Sequence, residues 1–162
     1  KMKGLEMVGM KCIGNKKLLE EPLSRIGVFA SRSDDPAIGI FREQWAMKKG
    51  REHRCIVGTF HSKAECEILY FVLKSGGYAV WFMGCSLPAK LPDFCKRAIR
   101  YRKLLIVSCF NCEHHSYATA RYCAHLVDMC SSYLVIWSMK ENGMIAPIYN
   151  KACTKGKWVE RF

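Results

Sequence analysis

The sequence predicts an α/β fold in three layers, with a mostly parallel sheet between two layers of helices. Three observations favour this class. Short apolar runs alternate with segments of helical periodicity along the whole chain. The runs are apolar at nearly every position, which is typical of strands buried on both faces. The connections are short, and right-handed crossovers then place the strands side by side in one open sheet.

The elements follow in order from an N-terminal arm, residues 1–24, which is predicted to dock through Leu18 and Leu19 on a single domain of residues 25–162. Predicted strands cover residues 25–30, 55–57, 78–83, 103–108, 133–137 and 156–162. Predicted helices cover residues 36–48, 66–74, 93–101, 117–130 and 144–154. In the first of these helices, Ile38, Phe41 and Trp45 share one apolar face.

Composition favours a basic, well-folded domain. The chain has 162 residues, and Lys plus Arg outnumber Asp plus Glu by 26 to 14, which gives a formal charge of +12. Such a surplus favours polyanionic partners through counterion release and long-range steering. The 10 cysteines, several inside apolar runs, are interpreted as reduced thiols. With no membrane-length apolar run and no signal-peptide pattern, the predicted location is the cytoplasm.

The segment from residue 54 to residue 65 reads as a strand, a tight loop and a helix N-terminus. Ser62 occupies the N-cap position, and Glu65 three residues later completes a capping box. Such a junction gathers backbone N–H groups at the positive end of a helix dipole, which favours a phosphate. Gly58 at the end of the strand is predicted to let a ligand approach the backbone.

A second junction of this kind follows the first strand of the domain, where Ser31 and Arg32 precede a polar loop. Because parallel strands end at one edge of a sheet, both loops are expected to meet there. The predicted phosphate-binding and nucleic-acid-binding residues are Ser31, Arg32, Gly58, Thr59, Phe60, His61, Ser62, Lys63 and Arg121. Two alternatives stay open: Arg32 pairs instead with Asp34 or Asp35, and the Phe60 ring is either a platform for a base or part of the core.

No catalytic residue, cofactor or metal is predicted. His61 and Ser62 are adjacent on a turn, where two side chains seldom converge, and no acidic partner is placed by the sequence. Partial zinc-ligand spacing at Cys109, Cys112, His114 and His115 leaves a zinc site open. No G-x-G-x-x-G segment supports a dinucleotide.

With these residues in view, the chain resembles the DNA-processing protein A family, also called Smf, in particular its short members. The resemblance extends from about Met10 to the end of the chain. Its motifs are Ile13-Gly14-Asn15 with Leu18-Leu19 and Pro22, the run from Gly27 to Arg32, the run from Gly58 to Ser62 with Glu65, and Arg121-Tyr122 with Leu126-Val127-Asp128. Ala30 stands where the family has the glycine of its G-S-R motif, and Ala120 where it has an asparagine.

The resemblance implies a Rossmann-like fold, binding of single-stranded DNA through phosphates at strand ends, a homodimer, and transfer of the strand to a recombinase partner in recombination and transformation. The sequence therefore predicts a nucleic-acid-binding protein without catalysis. One alternative is a nucleotide-binding or nucleotide-processing protein, such as a LOG-type phosphoribohydrolase, although the P-G-G-x-G-T-x-x-E signature is absent. Another is a sensor that holds a nucleotide in the same place.

Overall fold

A seven-stranded sheet lies at the centre of the molecule. The structure, a computed structural model, describes residues 10–33 and 35–162. Within them the strands are β1 (Lys11–Gly14), β2 (Arg25–Ala30), β3 (Cys55–Gly58), β4 (Tyr78–Met83), β5 (Leu104–Ser108), β6 (Tyr133–Trp137) and β7 (Val159–Arg161). The helices are α1 (Lys17–Glu20), α2 (Pro36–Arg51), α3 (Lys63–Lys74), α4 (Asp93–Arg100), α5 (Tyr117–Cys130) and α6 (Ile145–Thr154).

The strands are ordered β1-β5-β4-β3-β2-β6-β7, and every neighbouring pair is parallel except β1 with β5. The mostly parallel sheet predicted from the apolar runs is confirmed. Along the chain, β3, β4 and β5 are added in turn on one side of β2, and β6 then pairs with the other side of β2. The topological switch point therefore lies between β2 and β6, where ligands bind in open parallel sheets.

Two apolar cores cover the two faces of the sheet. One contains buried residues of α2, α3 and α4, and the other contains buried residues of α1, α5 and α6. Strands β2, β3 and β5 are buried along their whole length, as their continuous apolar sequence requires. The three predicted layers are thus present, and burial on both faces fixes the sheet as a rigid frame for the loops at its edges.

The N-terminal arm contributes both an edge strand and an anchor. Strand β1 pairs antiparallel with β5, and Leu18 and Leu19 are 5% and 3% exposed. The buried Arg25 side chain donates to the carbonyl oxygens of Leu18 and Glu21 at 3.1 and 3.2 Å. These bonds tie α1 to the start of β2.

Helix α2 begins as predicted, with Pro36 in its first turn and the Asp35 side chain accepting from the Ala37 N–H at 2.9 Å. The predicted apolar face is only partly buried: the Phe41 ring is 49% exposed. The face that is fully buried carries Arg42, Ala46 and Gly50, at a spacing of four residues. A helix with a small buried face approaches its neighbour closely, and a Cβ atom on Gly50 would lie 2.5 Å from Cβ of Ser75.

None of the ten cysteines, all of which lie among the described residues, is in a disulfide. In the described part of the chain, no helix is both long and apolar enough to cross a membrane.

Candidate functional site

A cavity of about 220 Å³ opens at the edge of the sheet where β2, β3 and β6 end. The loops that follow these three strands line it together with the first half of α5 and the start of α6. Its lining residues are Ser31, Thr59, His61, Ser62, Glu65, Ala120, Ala124, Lys140, Gly143, Met144 and Ile145. The two loops expected to meet at this edge therefore do meet, next to the switch point.

Four of the predicted site residues line this cavity, namely Ser31, Thr59, His61 and Ser62. Arg32, Lys63 and Arg121 do not line it, but each is exposed and adjoins a lining residue in the sequence. None of these three side chains forms an ion pair with a described residue, so the alternative pairing of Arg32 with Asp35 is absent. Asp34 lies outside the described residues.

The Glu65 carboxylate organises the floor of the cavity. One of its oxygens accepts from the N–H groups of His61 and Ser62 at 3.0 and 3.4 Å and from the Thr59 hydroxyl at 3.3 Å. The other accepts from the Ala30 N–H at 3.0 Å. With the Ser62 side chain accepting from the Glu65 N–H, these contacts include the predicted capping box. One carboxylate thus joins the ends of β2 and β3.

This arrangement corrects the predicted phosphate cradle. The N–H groups of His61 and Ser62, which the sequence assigned to a phosphate, already donate to Glu65. The first turn of α3 still offers the N–H groups of Lys63 and Ala64, which have no acceptor within the helix. Burial raises the pKa of the Glu65 carboxyl, and the hydrogen bonds from Ala30, His61 and Ser62 oppose that shift.

Phe60 belongs to the core rather than to the binding surface. Its side chain is 2% exposed, and its ring packs edge-on against Trp81 with the ring centroids 6.0 Å apart. The proposed role as a platform for a base is therefore wrong. Gly58 has a related correction: a Cβ atom there would lie 2.9 Å from the Phe60 ring, so the glycine makes room for that ring rather than for a ligand.

The Ser62 hydroxyl is engaged by the backbone. It donates to the Ala30 carbonyl oxygen at 2.7 Å and accepts from the Glu65 N–H at 3.1 Å. The neighbouring His61 ring lies instead against the His115 ring, with centroids 4.5 Å apart. Ser62 therefore serves as a structural link between β2 and α3.

His115 connects the site to the loops that contain Cys85 and Cys112. Its Nε2 lies 3.3 Å from the Cys85 sulfur, and its Nδ1 is buried with no hydrogen-bond partner among the described residues. Burial, followed by the charge of His61, lowers the pKa of His115. The Cys112 thiol donates to the carbonyl oxygens of Gly84 and His114 at 3.6 and 3.5 Å. Across the described residues, no group of three or more His, Cys, Asp or Glu side chains is arranged to hold a metal ion.

Sequence reasoning did not select Lys140, which lies in the loop after the predicted strand 133–137. Lys140 is exposed and lines the cavity from the far side of the switch point. A cation in a loop that follows a parallel strand was the available signal. Ala120 also lines the cavity, so the position where the family has an asparagine belongs to this site.

Comparison with known proteins agrees with the fold. No family model matches the chain, and no curated protein matches it. Solved structures do match, including DNA processing protein A from Helicobacter pylori in a study of its single-stranded DNA binding (17% identity, TM-score 0.74) and DNA processing protein A from Streptococcus pneumoniae (17%, 0.75). Each alignment covers 94% of this chain, but only 70% and 54% of those chains. The molybdenum cofactor carrier protein of Chlamydomonas reinhardtii is also similar, with 12% identity and a TM-score of 0.57, over 86% of this chain and 76% of that one. At these identities the likeness establishes a shared fold, which confirms the Rossmann-like prediction.

Proposed function

We propose that this protein belongs to the DNA-processing protein A family and binds single-stranded DNA by its phosphates at the ends of β2, β3 and β6. One observation carries the proposal: Lys140 lines the cavity, and Arg32, Lys63 and Arg121, from three other segments, are exposed and directly follow lining residues in the sequence. None of them forms an ion pair with a described residue. Cations left without carboxylate partners favour a bound anion.

Electrostatics at the cavity support a phosphate despite the acidic floor. Among the described residues, the lining itself carries one cation, Lys140, and one carboxylate, Glu65, whose two oxygens are both occupied by protein donors. Of the charged residues next in sequence to lining residues, Arg32, Lys63 and Arg121 are positive and Glu141 is negative. The remaining N–H groups at the start of α3 add the positive end of a helix dipole. A formal charge of +12 on the whole chain steers a polyanion towards the surface.

The size of the cavity favours a phosphate group over a complete nucleotide. Its volume of about 220 Å³ is below the roughly 300–1,000 Å³ typical of small-molecule pockets. No described residue of the lining is Phe, Tyr or Trp, so recognition at this point rests on charge rather than on stacking. We therefore expect little sequence preference and a strong dependence of affinity on salt.

The nucleotide-binding alternative keeps one specific support, the likeness to the molybdenum cofactor carrier protein. Under that alternative a free nucleotide would compete fully with DNA for this site. Nucleophilic catalysis by Ser62 has no support, because its hydroxyl is bound to the backbone. The proposal is accordingly a binding function without catalysis.

The experiment is a fluorescence anisotropy titration of a labelled 20-mer of thymidylate at several salt concentrations. Arg32→Ala with Lys63→Ala should weaken binding at least tenfold and reduce the salt slope by roughly 1.4, because about 0.7 is lost per single-strand phosphate contact. Lys48→Ala with Arg51→Ala is the matched control, with one exposed Lys and one exposed Arg at the C-terminal end of α2. The proposal fails if the protein does not bind at low salt, or if both double variants lose affinity equally.

The family resemblance also leads us to propose a homodimer and transfer of the bound strand to a recombinase. Light scattering coupled to size exclusion measures the first, and a strand-loading assay with a purified recombinase measures the second. A monomer at all accessible concentrations would contradict the dimer without affecting the binding proposal.

A further inference from the structure

A second and larger cavity, of about 660 Å³, lies between α3 and α4. Gly76 and Lys103 line it just before β4 and β5 begin, so it opens at the edge of the sheet opposite to the candidate site. The lining residues are Tyr70, Leu73, Lys74, Gly76, Asp93, Phe94, Arg97, Ala98, Tyr101 and Lys103. Its volume falls within the range typical of small-molecule sites.

Three aromatic rings form one part of the lining. Tyr70 and Phe94 pack edge-on with their centroids 5.2 Å apart, and the Tyr101 side chain is 58% exposed. Tyr70 and Phe94 are half-buried, so the exposed Tyr101 ring is the one that offers a stacking surface for a flat heterocycle.

Three cations form the other part. Lys74 donates to the Tyr70 hydroxyl at 2.8 Å, Arg97 lies 5.6 Å from the centroid of Tyr101, and Lys103 donates to the Gly76 carbonyl oxygen at 3.2 Å. These partners orient the cations without neutralising them. None of the three is in an ion pair with a described residue.

The lining therefore carries three positive charges against the single carboxylate of Asp93. That carboxylate has a weak partner, Lys96 at 3.9 Å, and it remains able to accept a hydrogen bond from a sugar hydroxyl or an exocyclic amine. A cavity with aromatic faces, a net positive charge and one acceptor suits a ligand that combines a base, a sugar and a phosphate.

We propose that this cavity binds a nucleotide, with the base against the aromatic rings and the phosphate held by Lys74, Arg97 and Lys103. The site is separate from the one at the ends of β2, β3 and β6, and it goes beyond the function proposed above. A nucleotide reaches it either free in solution or as part of a single strand.

The test follows backbone amide shifts in nuclear magnetic resonance spectra during titrations with thymidine 5′-monophosphate and, separately, with a 10-mer of thymidylate. Gly76, Tyr101 and Lys103 report on this cavity, and Thr59 and His61 report on the other site. Saturable shifts of the first group with the mononucleotide identify the free nucleotide as the ligand. Shifts of that group with the 10-mer alone identify a nucleotide within a strand.

The double variant Lys74→Gln, Arg97→Gln should weaken the affinity measured at Gly76, Tyr101 and Lys103 by roughly tenfold, because two charge-assisted contacts are lost. Lys90→Gln with Arg100→Gln is the matched control, since it removes one exposed Lys and one exposed Arg outside the lining and should change affinity less than twofold. Absence of saturable shifts in both titrations, or equal losses in both double variants, overturns the proposal. Shifts of Thr59 and His61 alone would overturn the nucleotide proposal and leave the single-stranded DNA proposal intact. Shifts of Gly76, Tyr101 and Lys103 alone would support the nucleotide proposal and contradict the single-stranded DNA proposal.

Discussion

Replacing Glu65 with Gln tests how the ends of β2 and β3 are held together. The carboxylate accepts four hydrogen bonds, one at the oxygen facing Ala30 and three at the other oxygen. A glutamine amide keeps one oxygen, which would face Thr59, His61 and Ser62. Its NH₂ group would then face the Ala30 N–H, so two donors meet in a buried position.

An unsatisfied buried donor costs about 1–3 kcal/mol, and the three remaining bonds lose their charge assistance. Burying a neutral amide instead of a carboxylate recovers part of this cost, because the carboxylate is poorly solvated in the native state. We expect a net loss of about 2 kcal/mol in the free energy of unfolding, a large fraction of the roughly 5–15 kcal/mol typical of a domain.

Urea unfolding followed by circular dichroism measures this loss, which corresponds to a midpoint about 1 M lower at an m-value of roughly 2 kcal/mol/M. Glu43→Gln, at an exposed position on α2, is the control and should leave the midpoint within about 0.25 M, since exposed substitutions change stability by only about 0.5 kcal/mol. If Glu65→Gln were as stable as the unsubstituted protein, the carboxylate would not be the clamp described here.

The pH dependence of the free energy of unfolding gives a second test of the role of Glu65. Because the pKa of Glu65 is raised above its ordinary value of 4.5, the native state binds more protons than the unfolded chain just above that pH. The contribution of Glu65 to the free energy of unfolding therefore falls as pH rises from 4.5 through the raised pKa. The difference in stability between the unsubstituted protein and Glu65→Gln should be largest at the acidic end of that window.

Three further predictions concern His115, Gly27 and Gly39. Because the pKa of His115 lies below its ordinary value of 6.5, the unfolded chain binds more protons than the native state below that pH. The free energy of unfolding should therefore fall as pH drops from 7 to 5. His115→Asn should make this fall smaller in urea midpoints measured at each pH. Gly27→Ala should lower the free energy of unfolding by about 1–3 kcal/mol, because its Cβ would lie 2.5 Å from Leu134 Cδ2. Gly39→Ala, in the interior of α2 with its nearest neighbour atom 4.0 Å away, should instead raise it by about 0.5–1 kcal/mol in the same assay.

Local sequence determined most of the elements. The predicted strands at residues 25–30, 78–83 and 133–137 and the helix at residues 117–130 have the observed bounds. Ser62 and Glu65 specified a capping box that is present. These features depend on residues only a few positions apart, so they can be recognised from the sequence.

The buried face of α2 could not be predicted from local sequence. The sequence offered Ile38, Phe41 and Trp45 as the apolar face, but α2 packs closely on its neighbour through Ala46 and Gly50. Which face of a helix is covered depends on what approaches it, and a close neighbour prefers small side chains to large ones.

The sequence by itself determined the layered α/β fold, the excess of positive charge and the edge of the sheet at which the loops gather. Only the tertiary structure decided how the groups at that edge are used: Glu65 takes the amides expected to bind a phosphate, and the Phe60 ring is buried beneath Gly58. It also brought Lys140 to the same cavity across the switch point. Periodicity reports which residues are buried and where strands end, but the partner of a buried polar group is set by contacts between segments distant in sequence.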